Sequence, residues 1–171
     1  MILYSNGKVE MDYELDLLST VTSIIDRSIE ALINESNSCQ DPDAYGIFDK
    51  IEHVTGFGFV ACQTYINSTY PESNLSKKES LNKGKVHSCG LTYIALINHA
   101  ANFWKHQGEW VNEGNSKARE RIIQSFEELG YPVDLDYPIS GCLTELTDNS
   151  TTFQALQAIL EEWRNQIISA S

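Results

Sequence analysis

Apolar residues recur at alternating spacings of three and four along successive segments of the chain. The first stripe is Leu15, Leu18, Thr22, Ile25, Ile29 and Leu32, opened by acids and closed by the polar stretch 34–37. This spacing places one apolar face along a helix. A second stripe, Ile47, Ile51, Val54, Gly58, Ala61 and Tyr65, follows Asp41-Pro42-Asp43, a good helix start, and stops before Pro71. Its interior is rich in strand formers, so a strand over Gly56–Ile66 is the alternative there. A third covers about residues 86–107 through Leu91, Ile94, Ile97, Ala101 and Trp104. A shorter one covers 116–129 through Ile122, Ile123, Phe126 and Leu129, ended by Gly130 and Pro132. The last runs over 151–168 through Phe153, Leu156, Ile159, Leu160, Trp163 and Ile167, with Asp148, Asn149 or Ser150 as its expected cap.

These stripes predict an all-α protein, a bundle of about five helices with no sheet beyond two short strands. The connections are a polar crossover at 71–85 and an irregular stretch at 132–149. Neither half of the chain has enough helices to close a core alone, so residues 1–171 are read as one domain. The length suffices for a core without disulfide staples. No apolar run approaches the roughly 20 residues of a membrane span, and the opening MILYSNGKVEMDYELD lacks the pattern of a secretory leader. Cys39, Cys62, Cys89 and Cys142 form no C-x-x-C and read as reduced, mostly buried thiols of a cytoplasmic protein. In that compartment the sequons at Asn34, Asn67, Asn74 and Asn149 carry no glycan.

Charge narrows the function. Twenty-four acids and twelve bases leave a net −12, which disfavours a general phosphate-binding surface and suits a basic partner. The charge is segregated: residues 1–75 sum to −9, residues 76–131 to +2 and residues 132–171 to −5. Only the middle segment can welcome a phosphate; equally, a surface this acidic will contain a less acidic stretch somewhere.

Gly56-Phe-Gly58-Phe-Val-Ala61 matches a dinucleotide fingerprint on paper, but the helical period runs through it, and small residues that permit close helix packing are the favoured reading. No metal site or cofactor is expected: the four histidines form no H-x-x-x-H pair, and His87-Ser-Cys89 has no companion ligands nearby. The stretch Asn98-His-Ala-Ala-Asn102-Phe-Trp-Lys-His106 stands apart. Asn98, Asn102 and His106 fall at i, i+4 and i+8, one polar stripe on an otherwise apolar helix. Burying such groups unpaired is costly. The stripe is therefore either a hydrogen-bond network that sets helix register or a site, in which His106 moves protons, Asn98 and Asn102 orient a phosphate, and Lys105 and His99 add charge.

This layout, a long helix pair, a helix ending in a polar motif with a histidine, then shorter helices, resembles the HEPN superfamily of small helical bacterial proteins. The resemblance implies a place in a toxin–antitoxin, phage-defence or other conflict system. It further implies up-down helix packing, dimerisation, and metal-independent RNA cleavage by an arginine followed by a histidine. His106 takes the histidine's place and Asn102 that of the nearby polar residue. The arginine's place falls on Ala101, Ala100 or His99, so the group that would stabilise charge on the phosphate has no equivalent. Two functions follow as expectations: a HEPN-like endoribonuclease acting on RNA, or a non-catalytic acidic antitoxin or immunity protein that covers a basic nuclease. A ligand-binding helical module with no conflict role stands as a third. A homodimer is also expected, from the resemblance and from Phe103, Trp104 and Trp110 crowding one short segment.

Overall fold

The computed structural model describes residues 2–5, 8–109, 116–134 and 136–169, with backbone alone at 3–5 and 8–10. Strands β1 (Ile2–Ser5) and β2 (Lys8–Asp12) pair antiparallel, Ile2 opposite Asp12, with a register irregularity between Leu3 and Tyr4. Seven helices follow among the described residues: α1 (Tyr13–Ser38), α2 (Ile47–Thr69), α3 (Lys77–Leu81), α4 (Tyr93–His106), α5 (Lys117–Glu128), α6 (Pro138–Leu146) and α7 (Gln154–Ser169). The described residues are all-α apart from the hairpin and one isolated bridge. No helix among the described residues is long and apolar enough to cross a membrane.

Helix α2 is the hub, packed on α1, α4 and α6. Its strand-forming residues are helical throughout because Thr55, Phe59, Tyr65 and Ile66 are buried against neighbouring elements and tertiary packing overrides local preference. Phe59, Cys62 and Ile66 meet Ile94 and Ile97 of α4, Ile139 of α6, and Leu156, Leu160 and Trp163 of α7 in one core. The two glycines of the fingerprint-like stretch make room for aromatic rings. A Cβ on Gly56 would stand 2.0 Å from the Trp104 indole, and one on Gly58 would stand 2.2 Å from the fully buried Phe153 ring.

Several connections depart from the sequence reading. The expected third helix starts only at Tyr93. Residues 86–92 instead form a loop closed by a Val86–Thr92 bridge, with Gly90 at φ +87° and the Thr92 hydroxyl capping Ala95 N–H. The polar crossover contains a 3-10 turn (Tyr70–Glu72) and α3, which starts with a reciprocal Ser76–Glu79 cap. The stretch 132–149 contains α6. This helix has Pro138 in its first turn, Tyr137 before it at φ +61°, and no cap from its own sequence. The Glu52 carboxylate of α2 accepts Ile139 N–H at 2.7 Å and Ser140 N–H at 2.8 Å in its place. The cap of α7 likewise is not Asp148, Asn149 or Ser150. Asp26 of α1 accepts Phe153 N–H at 2.8 Å and Gln154 N–H at 3.1 Å. A carboxylate at a helix N-terminus satisfies orphan donors and meets the positive end of the dipole.

The polar centre of the fold is Asp12. One carboxylate oxygen caps Leu15 N–H at 3.0 Å. The other accepts the Tyr65 hydroxyl at 2.8 Å and the Arg164 guanidinium at 2.7 Å. Both side chains of the ion pair are 4 % exposed. Burial alone would raise the Asp12 carboxyl, but hydrogen bonds from Arg164, Tyr65 and Leu15 N–H outweigh it and hold the group below the usual carboxylate range.

Removing one partner leaves a buried charge stranded. Arg164→Met is expected to lower unfolding stability by about 3–5 kcal/mol in urea titrations near pH 7. The folded-state value for Asp12 is depressed, so the pair's contribution is complete above the unfolded carboxyl value of about 3.9 and is lost as pH falls through the folded one. The stability gap between parent and variant should therefore narrow below about pH 4. A gap that stays constant with pH would contradict this assignment.

Candidate functional site

Helix α4 carries the polar stripe. Ile94, Ile97, Ala100 and Ala101 are buried in the core, and the stripe emerges along one side of the helix, from buried Asn98 through half-buried Asn102 to exposed His106. The group that organises it comes from α2. Gln63 Nε2 donates to Asn98 Oδ1 at 2.9 Å, to Asn102 Oδ1 at 2.9 Å and, at 3.2 Å, to the Asn98 carbonyl. Its Oε1 accepts Lys105 Nζ at 2.6 Å. Burial, and then the charge of Lys77 on α3, lower the Lys105 ammonium below its usual range. One buried carboxamide thus joins three of the five residues singled out from the sequence.

The other two lie elsewhere. His106 stands 46 % exposed at the end of α4, with Nδ1 2.8 Å from exposed Glu109 Oε2. His99 turns toward α5, where Nδ1 lies 3.1 Å from Ser125 Oγ. Burial first, and the nearby Arg121 charge second, push His99 below its usual value, which disfavours its charged form. It borders a small cleft of about 170 Å³ with Arg121, Gln124 and Glu128. Ala100 and Ala101, where the HEPN-type arginine would fall, are fully buried.

Gln63 was missed by the sequence reading. Its signal was present: a polar residue four after Phe59 and three before Ile66, on the inward face of an apolar helix. A group so placed needs partners in the core, and the amides of α4 are those partners. The aromatic segment behind the dimer expectation also resolves differently. Phe103 is buried with its ring 5.0 Å from Phe126, and Trp104 packs on Phe57 at 4.7 Å. Trp110 lies outside the described residues.

Beside the last turn of α4 is a cleft of about 310 Å³ lined by Asp49, His53, Trp104, Gln107, Asp136 and Tyr137 among others. Among the described residues its lining includes acids and aromatic rings and no lysine or arginine. The Tyr137 hydroxyl donates to Asp43 at 2.8 Å, and that bond, with burial and the surrounding acids, pushes the phenol up to about 12. Among the described residues no cluster of three or more histidine, cysteine or carboxylate ligands is placed to hold a metal, and His87 bonds to Glu145 at 3.2 Å.

No protein-family model, curated protein or solved structure matches this chain.

The network and the exposed histidine should separate cleanly on substitution. Gln63→Leu strands two amide oxygens and is expected to cost about 1–3 kcal/mol. His106→Ala should change stability by no more than about 0.5 kcal/mol. Paired urea melts check both, and a His106→Ala cost equal to that of Gln63→Leu would contradict the geometry.

Proposed function

We propose that this protein acts by binding rather than by catalysis, as an acidic antitoxin- or immunity-type protein on a HEPN-like helical scaffold that covers a basic partner. The observation that carries the reading is the state of the polar stripe. Its amide oxygens accept from Gln63, and its nearest ammonium is held by the same residue. The histidine at its end has a carboxylate as partner. A cleaving phosphate develops negative charge that needs a preorganised cation or donor beside the proton-transfer group. Here that surrounding is a carboxylate and an acidic cleft.

The same features suit a cationic partner. The net charge of −12 speeds encounter with a basic protein. In the cleft, Asp49 and Asp136 lie with the rings of Trp104 and Tyr137, a combination that accepts a lysine or arginine side chain through charge and cation–π attraction.

A two-armed experiment decides between binding and cleavage. Purified protein incubated with total RNA is expected to leave it intact. The same protein, immobilised, is expected to retain a basic polypeptide from host lysate at about 50 mM salt and release it at about 500 mM, where screening is stronger. Asp49→Lys with Asp136→Lys should weaken that retention. RNA cleavage that vanishes in His106→Ala would overturn the proposal in favour of the endoribonuclease.

A further inference from the structure

Asp49, His53 and Phe57 fall at i, i+4 and i+8 of α2, and all three are exposed, so they form one line along its outer side. Asp49 and His53 line the acidic cleft, and Phe57, 56 % exposed, lies beyond its end. Trp104 joins the two. It lines the cleft, its ring stands 4.7 Å from that of Phe57, and it meets the His53 ring edge-on at 6.4 Å. Gly56 makes this possible, because any side chain there would collide with the indole. The cleft and the exposed ring are therefore one continuous surface, acidic at one end and apolar at the other. By helix rise its two ends, Asp49 and Phe57, are about 12 Å apart.

The chemistry of the two ends selects the occupant. Among the described residues the carboxylates of Asp49 and Asp136 make no hydrogen bond or ion pair, whereas Glu52 is occupied by the α6 cap. Asp43, Asp49 and Asp136 all act on the Tyr137 phenol, so the field in the cleft is negative. Lys50 lies about 100° around α2 from Asp49 and is not part of the lining. This end takes a cation. At the other end an exposed phenyl ring packed on an indole is a broad apolar anchor, which takes a large apolar side chain. The ground between them is helix α2 itself. An extended segment binds through main-chain hydrogen bonds to a strand edge, which a helix does not offer. A second helix has its own main chain satisfied and docks through side chains alone.

We propose that this surface receives a basic amphipathic helix of the partner, with a lysine or arginine in the cleft and a large apolar side chain on Phe57, two helical turns apart. Residues i and i+7 of such a helix share one face and are separated by about 11 Å, which matches the surface within the reach of a lysine or arginine stem. The docking rests on the binding function proposed above, and it adds a second contact and a fixed spacing between the two.

Two alanine-based helical peptides of about 16 residues test this by NMR chemical-shift titration of the labelled full chain. One has an arginine and, seven positions later, a phenylalanine on the same face. The other has the same composition with the phenylalanine five positions later, on the far side. The first is expected to bind with a dissociation constant of about 0.1–1 mM and the second about fivefold or more weakly. Phe57→Ser, at an exposed position, should weaken the first peptide by about fivefold and leave the second, and the melting temperature, unchanged. Asp49→Asn with Asp136→Asn should weaken both. Peptides that bind alike or not at all, or a Phe57→Ser variant that binds the first as tightly as the parent, would overturn the docking geometry. Salt-dependent retention of a basic polypeptide would in that case still stand for the binding function, and its loss as well would remove both.

Discussion

The Asp12 carboxylate holds together parts of the chain that are far apart in sequence. It ends the hairpin, caps α1, accepts the hydroxyl of Tyr65 from α2 and pairs with Arg164 of α7. A carboxylate this deeply buried is tolerated only when its lone pairs are filled by good donors, and here one backbone amide, one phenol and one guanidinium fill them. The consequence is positional. The start of α1, the C-terminal part of α2 and the last turns of α7 are fixed against one another by a single group, and the apolar core closes around that arrangement.

Two further acids extend the same principle. Asp26 and Glu52 cap α7 and α6 from neighbouring helices, over sequence separations of more than eighty residues. Part of the chain's acidity is thus internal scaffolding rather than surface. α6 has neither a capping side chain of its own nor an extended residue before it, since Tyr137 sits in the left-handed region. Its N-terminus is stabilised only once α2 is in place, so that helix is a product of the tertiary fold.

The polar stripe of α4 shows how such satisfaction bears on function. Three polar groups at helical spacing are ambiguous until their partners are known. With Gln63 between them, Asn98 and Asn102 have their acceptors filled and Lys105 has its ammonium tethered. A network whose acceptors are filled and whose ammonium is tethered holds α2 and α4 in register. The chemistry that remains available to a partner lies on the rim, where His106 and Glu109 pair in solvent and the acidic, aromatic cleft opens beside them.

The amino-acid sequence by itself determined the helical class, the long helices α1 and α7 and the clustering of polar groups on α4, because each rests on a three-four periodicity that one helix expresses locally; over Gly56–Ile66 of α2 that period competed with strand-forming residues, and packing decided for the helix. The helical period through the two glycines of α2 pointed to close helix packing, and the structure fills the space beside them with the Trp104 and Phe153 rings. What only the tertiary structure decided were the features whose partners lie on other elements. Those are the existence of α6 and the caps of α6 and α7, the late start of α4 after the Gly90 loop, and the Asp12–Arg164 pair. The division of the candidate residues into a Gln63-centred network, an exposed His106 and a His99 turned toward α5 belongs with them. Periodicity reports which side of a helix is apolar, but hydrogen bonds and burial depend on what stands opposite, and that is set by the packing of the whole chain.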